Sequence, residues 1–364
     1  MDAPTFRAQF PVLERCAYLN AGTEGPVPSR AIDAARERIE LEGRLGRSGR
    51  SFFMGLIELA SAARAGYAEV LGCAGEQVAL TGSTTDGVNT VLSGLDLRSG
   101  DEILTTDEEH PGLLAPLGLA RRSRGVELRV VPFAEIAGEV RSSTRLVACS
   151  HVSWASGQVV DTASLAATGV PLLFDAAQAL GAVPVDVGVL GCDFYACSGQ
   201  KWLCGPEGSG CLFVRPERLQ ELEIPWPSYG SLADAQRPLE LEPTVGAARF
   251  DHGFPSGLRS AWALAALDVL REAGWEWVHE RAATLAGKLA ESLTERGIEV
   301  LPRGRSTLVS FRLADRDADQ EVQRLAEHGV SVRSVPIYAS VIRASVGAWC
   351  DEEELERLVA LVAE

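Results

Sequence analysis

Lysine is nearly absent from this chain: 364 residues contain two, Lys201 and Lys288, among 34 basic residues. Arginine cannot condense with an aldehyde, so any imine chemistry here must fall to one of those two amines. Long apolar runs are missing as well. No stretch approaches the roughly 20 residues needed to span a bilayer, and the start, Met1 to Arg7, lacks a basic segment followed by an apolar one. A soluble, cytoplasmic protein is expected. Positive charge is in deficit, with 34 basic against 50 acidic residues and a net charge of -16. That balance argues against nucleic acid or an anionic membrane as partner. The eight cysteines contain no Cys-x-x-Cys pair. Although Cys192, Cys197, Cys204 and Cys211 lie near one another, buried reduced thiols are expected there rather than disulfides or metal ligands. No internal repeat, low-complexity tract or long linker interrupts the chain.

The two lysines stand in different surroundings. Lys288 lies in a helical pattern with Glu291 three residues on, an ordinary surface arrangement. Lys201 lies in Ser198-Gly199-Gln200-Lys201-Trp202-Leu203-Cys204-Gly205-Pro206, after the apolar run Phe194 to Cys197. Such a segment reads as a strand end entering a tight loop, a place where a reactive amine can be held.

Short apolar runs alternate with helical stretches, the pattern of an α/β fold built on a mainly parallel sheet. Seven strands are expected, at 77–80, 102–105, 127–132, 145–150, 171–174, 193–197 and 210–214. Helical periodicity marks 56–71, 85–95 and 256–293, the last with a break near Gly274. After about residue 295 the texture changes to strands at 307–313, 330–334 and 341–346, a helix at 317–327, and a final helix opening on an Asp351/Glu354 capping box. The expected organisation is a large domain at 16–254 and a small α+β domain at 255–364, with 1–15 packing on the latter.

Candidate chemistry collects where parallel strands end, the place where open α/β sheets bind ligands. Ser83, Thr84 and Thr85 follow one strand and open a helix, offering hydroxyls and free N–H groups to a phosphate, though the same pattern is also a plain N-cap. Asp175 closes the strand at 171–174, where a carboxylate needs a cation or donor. It can hold a proton on a pyridine nitrogen, and Gln178 one turn later can donate to a ring oxygen. His110 follows another strand and can lie over a ring or handle a proton. His151 fits a hydrogen-bonded structural role better.

Together these residues resemble the class V aminotransferases, fold-type-I pyridoxal 5'-phosphate enzymes that include the cysteine desulfurases. Tyr18-Leu19-Asn20-Ala21-Gly22 is similar to the family's substrate-side segment, Asp175-Ala-Ala-Gln178 to its pyridine-nitrogen motif, and Ser198-Gly-Gln-Lys201 to its Schiff-base motif. The resemblance implies a homodimer with its sites near the interface. It further implies that Thr85, Ser198 and Gln200 hold the phosphate, that His110 stacks on the ring, and that Arg343 grips a substrate carboxylate.

Departures from a desulfurase narrow the reading. The interval Arg333 to Ile342, where desulfurases carry a nucleophilic cysteine, has none; Trp154, Gln200 and Phe254 replace a usual Asn, His and Thr. His110-Pro-Gly, Ser150-His-Val-Ser-Trp154, Lys201-Trp-Leu-Cys204 and Arg333 are similar to cysteine/cystine carbon–sulfur lyases. That branch implies β-elimination from cystine or another S-substituted cysteine, giving pyruvate, ammonia and a thiol or persulfide, with Lys201 moving the Cα proton. Asn20, Ala21, Trp154, Arg333 and Arg343 would meet the substrate. A desulfurase-like enzyme and an aminotransferase or epimerase on the same scaffold are the alternatives, and a non-catalytic cofactor-binding protein is a more distant one.

Overall fold

A computed structural model describes residues 1–364. After two N-terminal turns, β1 (Ala17–Tyr18) leads into the helices Ser29–Leu45 and Gly49–Leu71. The large sheet is built from β2 (Val78–Thr81), β3 (Glu102–Thr106), β4 (Glu127–Val131), β5 (Thr144–Ser150), β6 (Leu172–Asp175), β7 (Phe194–Ser198) and β8 (Gly210–Val214). Its order is β2-β8-β7-β6-β5-β3-β4. The pairs from β7 through β4 are parallel, and β8 runs antiparallel to both its neighbours. The expected seven-stranded, mainly parallel sheet is what the chain forms.

Four of these strands, β3, β6, β7 and β8, are buried along their whole length, as strands covered on both faces must be. β7 and β8 place Cys197 opposite Cys211, their sulfurs 3.4 Å apart. All eight cysteines are free; six are buried and Cys16 and Cys73 are half-buried.

The C-terminal part forms a second sheet from β9 (Glu299–Val300), β10 (Leu308–Arg312), β12 (Arg333–Ser334) and β13 (Val341–Ser345), ordered β12-β13-β10-β9 and antiparallel throughout. The stretch expected as one strand at 330–334 is two. β11 (Val330–Ser331) pairs in parallel with β1, and the chain then crosses at Val332 to join β13. The final capping box forms as expected, the Asp351 side chain accepting from the Glu354 N–H while Glu354 accepts from the Asp351 N–H.

The first turns lie against this part of the molecule. Phe6 packs edge-on to Trp277 at 5.3 Å, Phe10 lies 5.3 Å from Trp349, and Arg7 bridges Asp351 and Glu354. The helix Gly257–Ala273 meets Trp275–Glu295 at Gly274, whose φ of 93° permits the sharp junction. Two long helices went unread in the sequence, along with the short ones at Ala3–Arg7, Thr162–Ala166 and Val187–Leu190. Ser29–Leu45 buries only Ala31 and is polar over most of its length, while Pro111–Arg124 carries prolines at its first position and at Pro116.

Candidate active site

A cleft of about 240 Å³ opens at the carboxyl ends of β5, β6 and β7. Its wall joins Ser83, Thr84, Thr85, His110, Trp154, Asp175, Gln178, Ser198, Gln200, Lys201, Arg333 and Arg343, residues spread over most of the chain. Twelve of the fourteen residues expected at the site thus meet. Asn20 and Ala21 do not. Asn20 is bridged to Ser345 and accepts a hydrogen bond from Thr23 Oγ1, while Ala21 is fully buried behind the wall. Gly22, Thr23 and Glu24 take their place at the surface, and Ala177 lines the cleft as well. The glycines Gly22 and Gly25 on either side of Thr23-Glu24 were the available sign of a tight approach. A Cβ on Gly25 would stand 1.9 Å from the Lys201 carbonyl oxygen, and one on Gly22 would meet Arg343, Ser345 and Gln178 within 3 Å.

Lys201 leaves β7 through a closed loop. Gly199 N–H donates to the Ser209 carbonyl, Gly205 N–H to that of Gly199, and Cys204 adopts a left-handed φ of 55°. The residue is half-buried in the cleft, and desolvation there pulls the amine's pKa down to about 8, with the Asp175 carboxylate opposing and Arg343 reinforcing the shift. At neutral pH a useful fraction is therefore unprotonated, which an exposed lysine lacks.

Asp175 is buried at the end of β6, and burial raises its pKa against the pull of the Ala177 N–H and Lys201. The Ala177 N–H reaches its Oδ1 at 3.0 Å. Gln178 is already engaged, its Nε2 donating to the Gly22 carbonyl at 2.7 Å and its Oε1 accepting from Trp202 Nε1 at 3.0 Å. One N–H of that amide remains to serve a ring oxygen.

His110 is a helix N-cap rather than a free loop residue. Its Nδ1 accepts from the Gly112 N–H at 3.0 Å, which leaves the neutral ring's proton on Nε2. The residue stays exposed at the cleft, yet partial desolvation there, aided by the charges of Lys201, Arg333 and Arg343, lowers its pKa to about 4. The ring meets Trp154 edge to face, with centroids 5.0 Å apart. His151 takes the structural part expected of it, bonded through Nδ1 to the Tyr195 hydroxyl at 2.8 Å and stacked on Phe174.

The Ser83 hydroxyl caps the helix Thr84–Gly94, and Thr84 reaches across to Ser198, hydroxyl to hydroxyl at 2.7 Å. The Thr84 N–H also donates to the Ser198 hydroxyl at 3.2 Å, so the helix start and its hydroxyls are tied to the lysine loop along the cleft wall. Opposite, Arg343 is fully buried, donates through Nη1 to the Trp154 carbonyl at 2.6 Å, and leaves Nε and Nη2 without partners. Burial and the neighbouring Arg333 lower its pKa to about 9, so it stays charged at neutral pH. An unpaired buried guanidinium edge is costly, and a carboxylate would relieve that cost.

These residues fit pyridoxal phosphate on their own terms: a half-buried, partly unprotonated lysine, a buried carboxylate near it and a hydroxyl-rich helix start. The sequence profile described as Aminotransferase class-V matches residues 17–358. The chain belongs to the class V aminotransferase family. It is 30% identical to a cysteine desulfurase of Cronobacter sakazakii (strain ATCC BAA-894), over 97% of this chain and 96% of that one. Among solved structures it resembles C-DES, described as a cystine C-S lyase in complex with its product cysteine persulfide, with a TM-score of 0.90, 29% identity, and 98% and 99% of the two chains covered. A C-DES lysine variant with glycine covalently linked to its PLP cofactor matches at a TM-score of 0.92, with the same identity and coverage. The protein is accordingly a PLP-dependent enzyme of fold type I.

Two buried acids beside His110, Glu108 and Glu109, escaped the sequence reading. Glu109, beside His110, accepts from Thr106 Oγ1 at 2.6 Å and from the Ser150 N–H and hydroxyl. Burial nevertheless raises its pKa to about 7. A raised carboxyl pKa means the folded state holds the proton more tightly, so its stabilising share is full below about 4.5 and is lost as pH rises through about 7. Relative to Glu109→Gln, the wild type should lose up to about 3 kcal/mol between those limits. Denaturant titrations at several pH values check this, and parallel curves for the two proteins would contradict it.

Proposed function

We propose that the enzyme is a carbon–sulfur lyase that eliminates the β-sulfur of cystine or a related S-substituted cysteine. The observation that carries this reading is that none of the eight cysteines lines the cleft. The nearest candidate in sequence, Cys350, is buried with its sulfur directed to the Tyr18 carbonyl at 3.6 Å. A desulfurase needs a thiolate nucleophile to accept sulfur. An elimination needs none, because the leaving group departs with its own electron pair.

Bound pyridoxal phosphate supplies an aldehyde and a ring that takes up the electron pair left at Cα. Lys201 would anchor it and then act as the base at Cα, a task for which a pKa of about 8 is well placed. Asp175 would keep the ring nitrogen protonated, and His110 would cover the ring. Ser83, Thr84, Thr85, Ser198 and Gln200 would hold the phosphate. Arg343 would pair with the α-carboxylate through its two unpartnered nitrogens, with Trp154 and Arg333 beside it. For cystine the balance is one water consumed, with one pyruvate, one ammonia and one cysteine persulfide released.

We infer a homodimer as the working form. Phe53, Tyr229 and Phe254 are exposed yet lie edge to face, with centroids 5.9 and 6.5 Å apart, beside a second cavity lined by Gly82, Asp86 and Gly208. An apolar cluster of that kind suits a covered surface. The cytoplasm is the proposed compartment; no helix is long and apolar enough to cross a membrane.

Incubation of the holoenzyme with cystine should yield pyruvate and ammonia in equal amounts, read by a coupled dehydrogenase assay. Alanine accompanied by an enzyme-bound persulfide would instead identify a desulfurase. Replacing Arg343 by Ala should raise the KM for the amino acid by roughly 10- to 100-fold, the cost of a charge-assisted pair, while leaving the cofactor's absorption band in place. An unchanged KM would remove Arg343 from the substrate.

A further inference from the structure

The two arginines of the cleft share one hairpin. Arg333 on β12 lies directly opposite Arg343 on β13, and the strands are joined by the turn at 335–340. The turn is closed by the Tyr338 N–H to the Val335 carbonyl and the Val335 N–H to the Val341 carbonyl, both at 3.0 Å, and Ser340 takes a left-handed φ of 57°. Its tip is open, with Ile337 43% exposed. Tyr338 turns inward. Its ring packs on the cluster of Trp154, Val335 and Val341, and its hydroxyl donates to Glu108 Oε1 at 2.9 Å.

Glu108 is buried, and it gathers more than this one bond. Ser153 and Ser156 both donate their hydroxyls to Oε2, and Gln158 Nε2 donates to Oε1 at 3.3 Å. The carboxylate therefore touches each segment that carries a cleft residue on this side: its own turn holds His110, the 153–158 loop holds Trp154, and the hairpin holds Arg333 and Arg343. Only the Tyr338 hydroxyl connects it to the hairpin. Trp154 links the same three segments a second time, through the His110 ring, Arg333 above its indole at 5.7 Å, and Arg343 on its carbonyl.

We propose that Tyr338 and Glu108 form a clasp that positions the arginine hairpin over the cleft, making both of them positioning residues for the amino-acid carboxylate. The inference rests on the carboxylate-binding reading of Arg343 given above. Charge assistance makes the bond strong enough to matter, since one hydrogen bond to a buried carboxylate can shift an equilibrium about tenfold or more. Without it the turn keeps its bonds to the β10 end, Arg312 Nη1 to the Ala339 carbonyl at 2.7 Å and the Leu313 N–H to the Ser340 carbonyl at 2.9 Å, but loses its polar tie to the His110 and Trp154 segments, and both arginines gain freedom that substrate binding must remove.

The test is Tyr338→Phe in the holoenzyme, a change that removes one oxygen and retains the ring's packing. The expected result is about a tenfold rise in KM for cystine with kcat within about threefold, and a matching loss of affinity for glycine, read from the cofactor's absorbance. Chymotrypsin, which cuts after Tyr or Phe, should cleave the variant at 338 at least several-fold faster than the wild type, and glycine should slow that cleavage. If Tyr338→Phe binds glycine as tightly as the wild type and is cut no faster, the clasp is wrong. If the wild type fails to consume cystine while the variant still shows the glycine and cleavage effects, the clasp stands and the proposed substrate falls.

Discussion

Three ionisable groups converge on one small cleft, and the rest of the site follows from keeping them there. Lys201 is half-buried, Asp175 is 5% exposed and Arg343 is wholly buried. Burying charge is expensive unless partners compensate, and the partners here are incomplete: Arg343 retains two unpaired nitrogens. The proposed cofactor and substrate complete the set, with the pyridine nitrogen on Asp175, the aldehyde on Lys201 and the carboxylate on Arg343.

The fold supplies the precision. Asp175 and the lysine loop end neighbouring parallel strands, so the carboxylate and amine are set by sheet geometry rather than by flexible loops. Arg343 comes from the antiparallel C-terminal sheet, a separate support that must be brought into register. Ser310 and Ser306 help, donating to the carbonyls of Ala155 and Gly157, and so fasten the Trp154 loop to that sheet. Catalysis on a cofactor shared by so many reactions depends on such placement, because the bond broken at Cα is chosen by geometry.

Much of this was legible in the sequence for a physical reason. A lysine among glycines at a strand end, an aspartate closing an apolar strand and hydroxyls opening a helix are each unfavourable or unusual unless they have work to do. Twelve of the expected site residues accordingly meet at the cleft. Asn20 and Ala21 were misplaced by the length of a tight turn, which only the backbone contacts between Gly25 and Gln200 fix. Glu108 and Glu109 drew no reading from the sequence, because nothing local shows that Ser150, Ser153, Ser156 and Tyr338 converge on them. Helix Pro111–Arg124 was hidden by its prolines, and Ser29–Leu45 by its polar surface. Long-range convergence was the part the local pattern could not carry.

The site as proposed depends on one amine. With only two lysines in the chain, borohydride reduction of the holoenzyme followed by peptide mass mapping gives an unambiguous reading. The account predicts a single pyridoxyl adduct on the peptide containing Lys201, with Lys288 unmodified in its exposed pairing with Glu352. An adduct on Lys288, or a reduced protein carrying none, would contradict it.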